Sequence, residues 1–366
     1  MSILRAILAV FHRNLLLLRR ERALIIQVVI VPSAMLILST MVYGGVGDAY
    51  PVALVNQSSS AAGQQAEQAV RDAHSDIGPY FRIVTTDLAE ARDELSWGRL
   101  HAVIVIPPDY DQTHRIQVDS FNVNSDAAKN YRGRIELAVN SINASGALDV
   151  ELAKQTEHPD DVWRAAYLGG SSILLAWFFG SMLIAANLML VEREYRTRKE
   201  ILLTPLPIAA AGGGIILSAV LMATVMSLLP LALSYAIGHF EVSPGRLLGV
   251  YFGFLPVMVA CAAFGLVLGY LLRHFRAAQP VVTLGAIMTF FVCGGFSRMA
   301  YLPEAAQAFA RWWPFTPIFE WYNPVIHGFA DLSAGRLTAV IAAAVVGLLL
   351  VPVVYAGEHR RGEERA

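Results

Sequence analysis

The stretch Leu168-Gly-Gly-Ser-Ser-Ile-Leu-Leu-Ala-Trp-Phe-Phe-Gly-Ser-Met-Leu-Ile-Ala-Ala-Asn-Leu-Met-Leu-Val191 contains no Asp, Glu, Lys or Arg. About 20 apolar residues in a helix cross the ~30 Å hydrocarbon core of a bilayer. A helix also satisfies its own backbone groups in lipid. This stretch therefore predicts a membrane span, and five others read the same way: Ala23–Val46, Leu206–Gly238, Leu247–Leu272, Ala277–Ser297 and Leu337–Gly357. The run from Leu206 is too long for one simple span. Pro205-Leu206-Pro207 is placed at the interface, with the helix proper starting near Gly212. A soluble bundle of buried helices is the competing reading, and uncharged runs of this length argue against it.

The composition points the same way. Of 366 residues, 55% are hydrophobic and only 16% charged, with a mean hydropathy of +0.50. Soluble domains carry roughly 25% charged residues, so a purely soluble enzyme, a disordered chain and a nucleic-acid binder are excluded. The net charge of −1 implies no global electrostatic partner. Cys261 and Cys293 both lie in apolar runs, which leaves no disulfide framework or zinc site. None of Lys129, Lys154 and Lys199 follows a glycine, so the chain has no phosphate-binding GxxxxGK[ST] loop and is not an ATPase by itself.

Basic residues set the expected orientation. Arg5, Arg13, Arg19, Arg20 and Arg22 precede the first span. Arg193, Arg196, Arg198 and Lys199 follow the second, Arg273 and Arg276 the fourth, and Arg360, Arg361 and Arg365 the last. These 14 residues define a cytoplasmic side, against Arg246, Arg298, Arg311 and Arg336 opposite. Both termini are expected inside. The first apolar run exceeds a typical signal-peptide core and no clear cleavage site follows it, so no cleaved signal is expected. Ile3, Leu4, Ile7, Leu8, Phe11, Leu15 and Leu18 recur at helical spacing, with arginines between them. Residues 1–22 are read as a helix on the inner membrane surface, leading into span one at 23–47.

Residues 48–166 form a polar insert with ten basic and eighteen acidic residues, a formal charge of −8, and are placed outside. Its expected elements are strands at Pro51–Asn56, Phe81–Thr85, His101–Ile106 and Ile116–Phe121, and helices over Ala61–Ala73 and Asp87–Trp97, with Asp87 as N-cap. A long helix from Asp126 to about Thr156 is expected to feed span two at 167–191. The whole is a small α/β domain. His74, His101, His114 and His158 lack metal-binding spacing, and no nucleophile motif is present.

After span two comes Glu192-Arg-Glu-Tyr-Arg-Thr-Arg-Lys-Glu200-Ile-Leu-Leu-Thr-Pro205-Leu-Pro207. Dense charge followed by an Ile-Leu-Leu patch and a Thr-Pro stop predicts a short amphipathic helix along the membrane, suited to a groove on a soluble partner. A positive-inside loop without a partner is the alternative. Glu192 and Glu194 are expected to pair, as exposed groups, with Arg193, Arg196 or basic groups of a partner.

This loop resembles the Glu-Arg-Glu-x-Gly-Thr-x-x-x-Leu-Leu-x-Thr-Pro pattern of membrane permeases of type-two ATP-binding cassette exporters. Glu192, Arg193, Glu194, Thr197, Leu202, Leu203, Thr204 and Pro205 match. Arg196 stands where glycine is usual, and Ala210, Ala211 and Gly212 stand where Gly-Lys is common. The resemblance extends to the order of surface helix, span, external domain and five further spans, that of the subgroup with a large external domain. It also includes the domain opening Pro51-Val-Ala-Leu-Val-Asn56-Gln and the segment Tyr301–Gly328. It implies that residues 192–207, with Glu200 among them, are the coupling helix of a separate ATPase subunit, which would hold ATP and Mg. This chain would bind no cofactor or metal and supply no catalytic residue. The resemblance also implies a second permease, identical or related, and a pathway between the two lined by spans two and five.

Residues 208–297 complete spans three to five, where Pro230 and Pro256 are expected to interrupt helices. Residues 298–335 hold an aromatic, proline-rich segment, read as two short helices forming an external re-entrant hairpin. Trp312, Trp313, Phe315, Phe319, Glu320 and Trp321 are its candidate exit-gate residues, with an aromatic anchor belt as the alternative. Glu320 should pair, face water or bind something. Span six covers 336–358, and 359–366 form a cytoplasmic tail. Asn187 and Gln27 are expected to join helices.

The fold expected is thus an α-helical polytopic membrane protein with six transmembrane helices, an N-terminal interfacial helix and a small external α/β domain. The expected function is export of an amphiphilic substrate, such as a drug or lipid, across the cell membrane. The alternative is a sensor or scaffold whose α/β domain binds a ligand; every cytoplasmic segment is short for an output module. An ion-coupled carrier would tend to keep mid-membrane carboxylates, and these runs have none.

Overall fold

A computed structural model describes residues 3–75, 78–96, 99–120, 130, 132–138, 162–194, 208–272, 275–296 and 304–363. The chain divides into two compact units: Met1–Thr40 together with Arg164–Ala366, and Met41–Trp163.

Helix α1 (Ile3–Arg20) leads into α2 (Arg22–Asp48). The polar insert follows: β1 (Tyr50–Asn56), α3 (Ala61–Asp72), the short pair β2 (His74–Ser75) and β3 (Gly78–Pro79), β4 (Phe81–Thr85), α4 (Leu88–Ser96), β5 (Ala102–Ile106), α5 (Tyr110–Thr113) and β6 (Gln117–Ser120). Its sheet runs β4-β1-β5-β6, with β1 parallel to both β4 and β5, and β6 antiparallel to β5. Side chains alternate across a strand, and both faces are covered. Val52, Leu54, Ala102, Ile104 and Ile106 pack with Ala66 and Val70 of α3. Ala53, Val55, Val103 and Val105 pack with Ala91 of α4. Ser60 caps α3 by accepting from Gly63 N, and Asp87 accepts from Glu90 N at 2.8 Å, ahead of α4. Of the long helix expected from Asp126 to Thr156, only residues 130 and 132–138 are described, and they are helical.

The membrane unit continues with α6 (Arg164–Glu194), α7 (Ile208–Met226), α8 (Leu228–Ile237), α9 (Pro244–Leu272), α10 (Phe275–Val292), α11 (Glu304–Trp312), α12 (Thr316–His327) and α13 (Ala334–Glu363). Among the described residues, five stretches are long and apolar enough to cross a membrane: Arg22–Met41, Arg164–Glu194, Ala210–Ile237, Pro244–Leu272 and Ala334–Val353. Within the fifth apolar run of the sequence, Ala278–Val292 is a shorter apolar helix. The chain is a polytopic helical membrane protein.

Two details depart from expectation, the start of α7 and the continuity of α9 at Pro256, while the interruption at Pro230 agrees with it. Helix α7 is under way at Ile208, before Gly212, because the first N–H groups of a helix need no intrahelical acceptor and the start directly after Pro207 costs nothing. The third run also breaks at Ser227. Pro230 has no N–H to give the carbonyl four residues back, on Met226, and the helix divides there. Pro256, by contrast, lies inside the continuous α9.

Helix α6 is the hub. Its most apolar window is wholly buried within the single chain, with α7, α8, α9, α10 and α12 packed around it. Its approach to α9 relies on missing side chains. A Cβ on Gly265 would stand 2.1 Å from the Met182 carbonyl oxygen, and one on Gly269 would stand 2.6 Å from that of Ala186. Small residues let helix backbones meet in lipid, where dispersion rather than water drives packing. Gln27 of α2 donates to Thr283 of α10 at 2.6 Å. Asn187 donates to its own helix, at the Leu183 carbonyl, and accepts from Gln279 of α10 at 3.5 Å.

Candidate functional site

Helix α1 buries Ala6, Val10, Asn14 and Leu18, four residues apart along one face, against α7. The seam is close: a Cβ on Gly214 would lie 2.6 Å from Val10. This packing brings Arg13 to the end of α6. Its guanidinium donates to Glu192 and, at 2.9 Å, to Asn14 Oδ1. Glu192 is 1% exposed while Arg13 keeps about a third of its side chain open. The expectation of an exposed glutamate is therefore corrected: a carboxylate this buried needs a cation, and a helix distant in sequence supplies it. Arg193 donates to the Tyr270 carbonyl of α9 at 3.2 Å, and Glu194 is exposed. The last turn of α6 is thereby tied to two neighbouring helices. Thr197, Glu200, Leu202, Leu203, Thr204 and Pro205, the remaining candidate coupling residues, lie outside the described residues.

The six candidate gate residues do not share one face. Trp312, at the end of α11, is 90% exposed, and Glu320 is exposed on α12. Trp313 donates from its indole to Thr289 of α10 at 2.8 Å. Phe315 stacks on Phe178 of α6 at 5.1 Å, and Phe319 meets the same ring edge-on at 5.8 Å. Trp321 lies 4.3 Å from Phe254 of α9. These rings fasten α12 to α6 and α9, while Trp312 and Glu320 face away from the chain's interior.

Sequence reasoning missed the polar knot beside them. Asn323 of α12 donates to the Tyr167 hydroxyl at 2.9 Å and the Gly294 carbonyl at 3.1 Å, and accepts from Ser171 at 3.0 Å. Tyr167 also donates to Gly294, whose φ of 95° lies in the left-handed region that favours glycine. Every polar atom of the buried Asn323 amide is thus used. Its sequence signal was slight, one Asn among prolines and aromatics. The signal for Arg13 was better: Asn14 interrupts the apolar stripe of α1 at a position that requires a polar partner.

Among the described residues, no group of three or more His, Cys, Asp or Glu could hold a metal ion.

The ABC-2 family transporter protein family matches residues 22–356, nearly the whole chain, and the protein belongs to that family. It is a membrane subunit of an ATP-binding cassette transporter, and this membership implies partnership with an ATP-binding cassette ATPase subunit. No curated protein matches the chain.

Proposed function

We propose that this chain is the permease of an exporter that moves an amphiphilic substrate, such as a drug or lipid, outward across the cell membrane. A separate subunit binds ATP and Mg and hydrolyses the nucleotide. In this reading both termini are cytoplasmic, residues 48–166 are external, placing the protein in the subgroup with a large external domain, and the working unit contains a second permease, identical or related. Residues 192–207 dock on the ATPase. The hairpin with Trp312, Trp313, Phe315, Phe319, Glu320 and Trp321 stands at the exit.

The observation that supports this best is the fastening of α6 at the start of that loop. Glu192 is held by Arg13 of α1 and Arg193 by α9. A push on the loop is passed to elements of fixed geometry rather than lost in a loose end. Because α6 is encased by its own chain, a route along it requires α6 and its neighbours to part.

The test is the double substitution L202D/L203D in the complex with its ATPase. Membrane insertion should be unchanged and substrate-stimulated ATP hydrolysis should fall to the unstimulated level. Stimulation equal to wild type would reject the docking assignment.

A further inference from the structure

At the elbow where α1 turns into α2, Leu16, Arg19, Arg20 and Arg22 line one open cavity of about 550 Å³. The backbone stays hydrogen-bonded through the turn, with Glu21 N donating to the Leu17 and Leu18 carbonyls and Ile25 N to the Glu21 carbonyl. The junction between the two helices is therefore hydrogen-bonded, not frayed. Among the described residues, none of the three arginines makes an ion pair or side-chain hydrogen bond. Glu21 lies between them in sequence but does not line the cavity. Leu16 does, with 54% of its surface exposed. On the same helix Leu4 and Leu8 are also exposed, away from the stripe that packs on α7.

We propose that this elbow binds the phosphate headgroup of an anionic phospholipid. Guanidinium groups present planar donors that match phosphate oxygens. The volume lies within the range of small-ligand sites. A free phosphate would use the arginines but leave Leu16 in water, whereas a lipid sets its glycerol and upper acyl carbons against that leucine and along the exposed apolar side of α1. Basic clusters beside a membrane helix attract anionic headgroups on this principle. The inference rests on the chain spanning a membrane and is independent of what the transporter exports.

The test is native mass spectrometry of the full chain in detergent, titrated with dioleoyl phosphatidylglycerol, dioleoyl phosphatidylcholine or inorganic phosphate. Each arginine should contribute about fivefold, so phosphatidylglycerol should be preferred over phosphatidylcholine by on the order of a hundredfold. R19Q/R20Q/R22Q should abolish that preference, and R311Q/R336Q should leave it intact. Because loss of three charges can impair insertion, R19K/R20K/R22K and the single variants R19Q, R20Q and R22Q are measured alongside. The lysine variant should weaken phosphatidylglycerol binding while keeping the net charge, and each single variant should weaken it about fivefold. A preference unchanged in the glutamine and lysine triples, or in all three single variants, overturns the site. An equal loss in R311Q/R336Q reduces it to general charge attraction and also overturns it. Displacement of the lipid by inorganic phosphate at comparable concentration assigns the cavity to a free anion and overturns the lipid assignment.

Discussion

Taking the guanidinium away from Arg13 removes a cation from the buried Glu192 carboxylate. Breaking a fully buried pair costs about 3–5 kcal/mol. Arg13 is about one-third exposed, so water can partly replace it, and R13Q should cost about 1–3 kcal/mol. The double variant R13Q/E192Q removes both charges and should recover part of that loss, so its thermal midpoint in detergent should lie above that of R13Q. A midpoint at or below R13Q would mean the pair contributes nothing by charge. His101 offers a pH test in the insert. Burial holds its ring neutral, with a pKa below the ordinary 6.5. The folded state therefore binds fewer protons than the unfolded one as the pH drops below that value. Stability is full above it and is lost as the pH falls toward the folded pKa. Between pH 7.5 and 5.5 the insert should lose more stability in wild type than in H101Q, read as the difference in midpoint shift. At this scale Glu192 was legible in the sequence as a charged group at the end of a span, but its burial was not, because Arg13 lies on a helix whose packing no local pattern reveals.

For the helices, length and apolarity were legible, and the contacts between them were not. The α6–α9 seam depends on which residues of each helix meet, and Gly265 and Gly269 could equally have faced lipid. The structure makes their role specific and testable. G265A would drive a methyl into the Met182 carbonyl and should lower stability by about 1–3 kcal/mol or more, since overpacked positions can only shift the backbone. Gly249 lies on the same helix with nothing within 4 Å of its Cβ position, so G249A should be neutral or slightly stabilising. Thermal unfolding of the two variants side by side separates close packing from a general intolerance of alanine in α9; equal losses would remove the seam from the account. The break at Ser227 was half-legible: Pro230 announced a defect, and the exact turn it fell on depended on the missing N–H four residues beyond Met226. Pro256 announced the same and caused no break. In the insert, the central strands could be told from the edges. β1 and β5 are the most apolar and most buried, while β4 and β6 alternate in exposure.

Across the whole molecule, charge separates the insert from the rest of the chain. The insert, residues 48–166, carries −8 and the rest of the chain +7. Arginine is costly to move across a bilayer during insertion, and short basic loops stay on the side where they are made. The α1 elbow, the loop after α6 and the C-terminal tail all carry that basic surplus, so the expectation is that they share one side. An even number of crossings returns the tail to the side of α1. The hairpin α11–α12 is decisive in that count. Its two helices have 9 and 12 residues, each too short to span, and residues 313–315 separate them. Were the hairpin a continuous span, the count would be odd and Arg360, Arg361 and Arg365 would lie opposite Arg19, Arg20 and Arg22. The check is made in intact cells with Cys261 and Cys293, both buried, replaced by alanine. A membrane-impermeant maleimide should label S59C, in the loop between β1 and α3, and should label R198C only after the membrane is opened. A cysteine replacing Arg361 should behave like R198C. Labelling of the Arg361 position in intact cells would show a seventh crossing and return the hairpin to the list of spans, while labelling of R198C with protection of S59C would invert the entire topology.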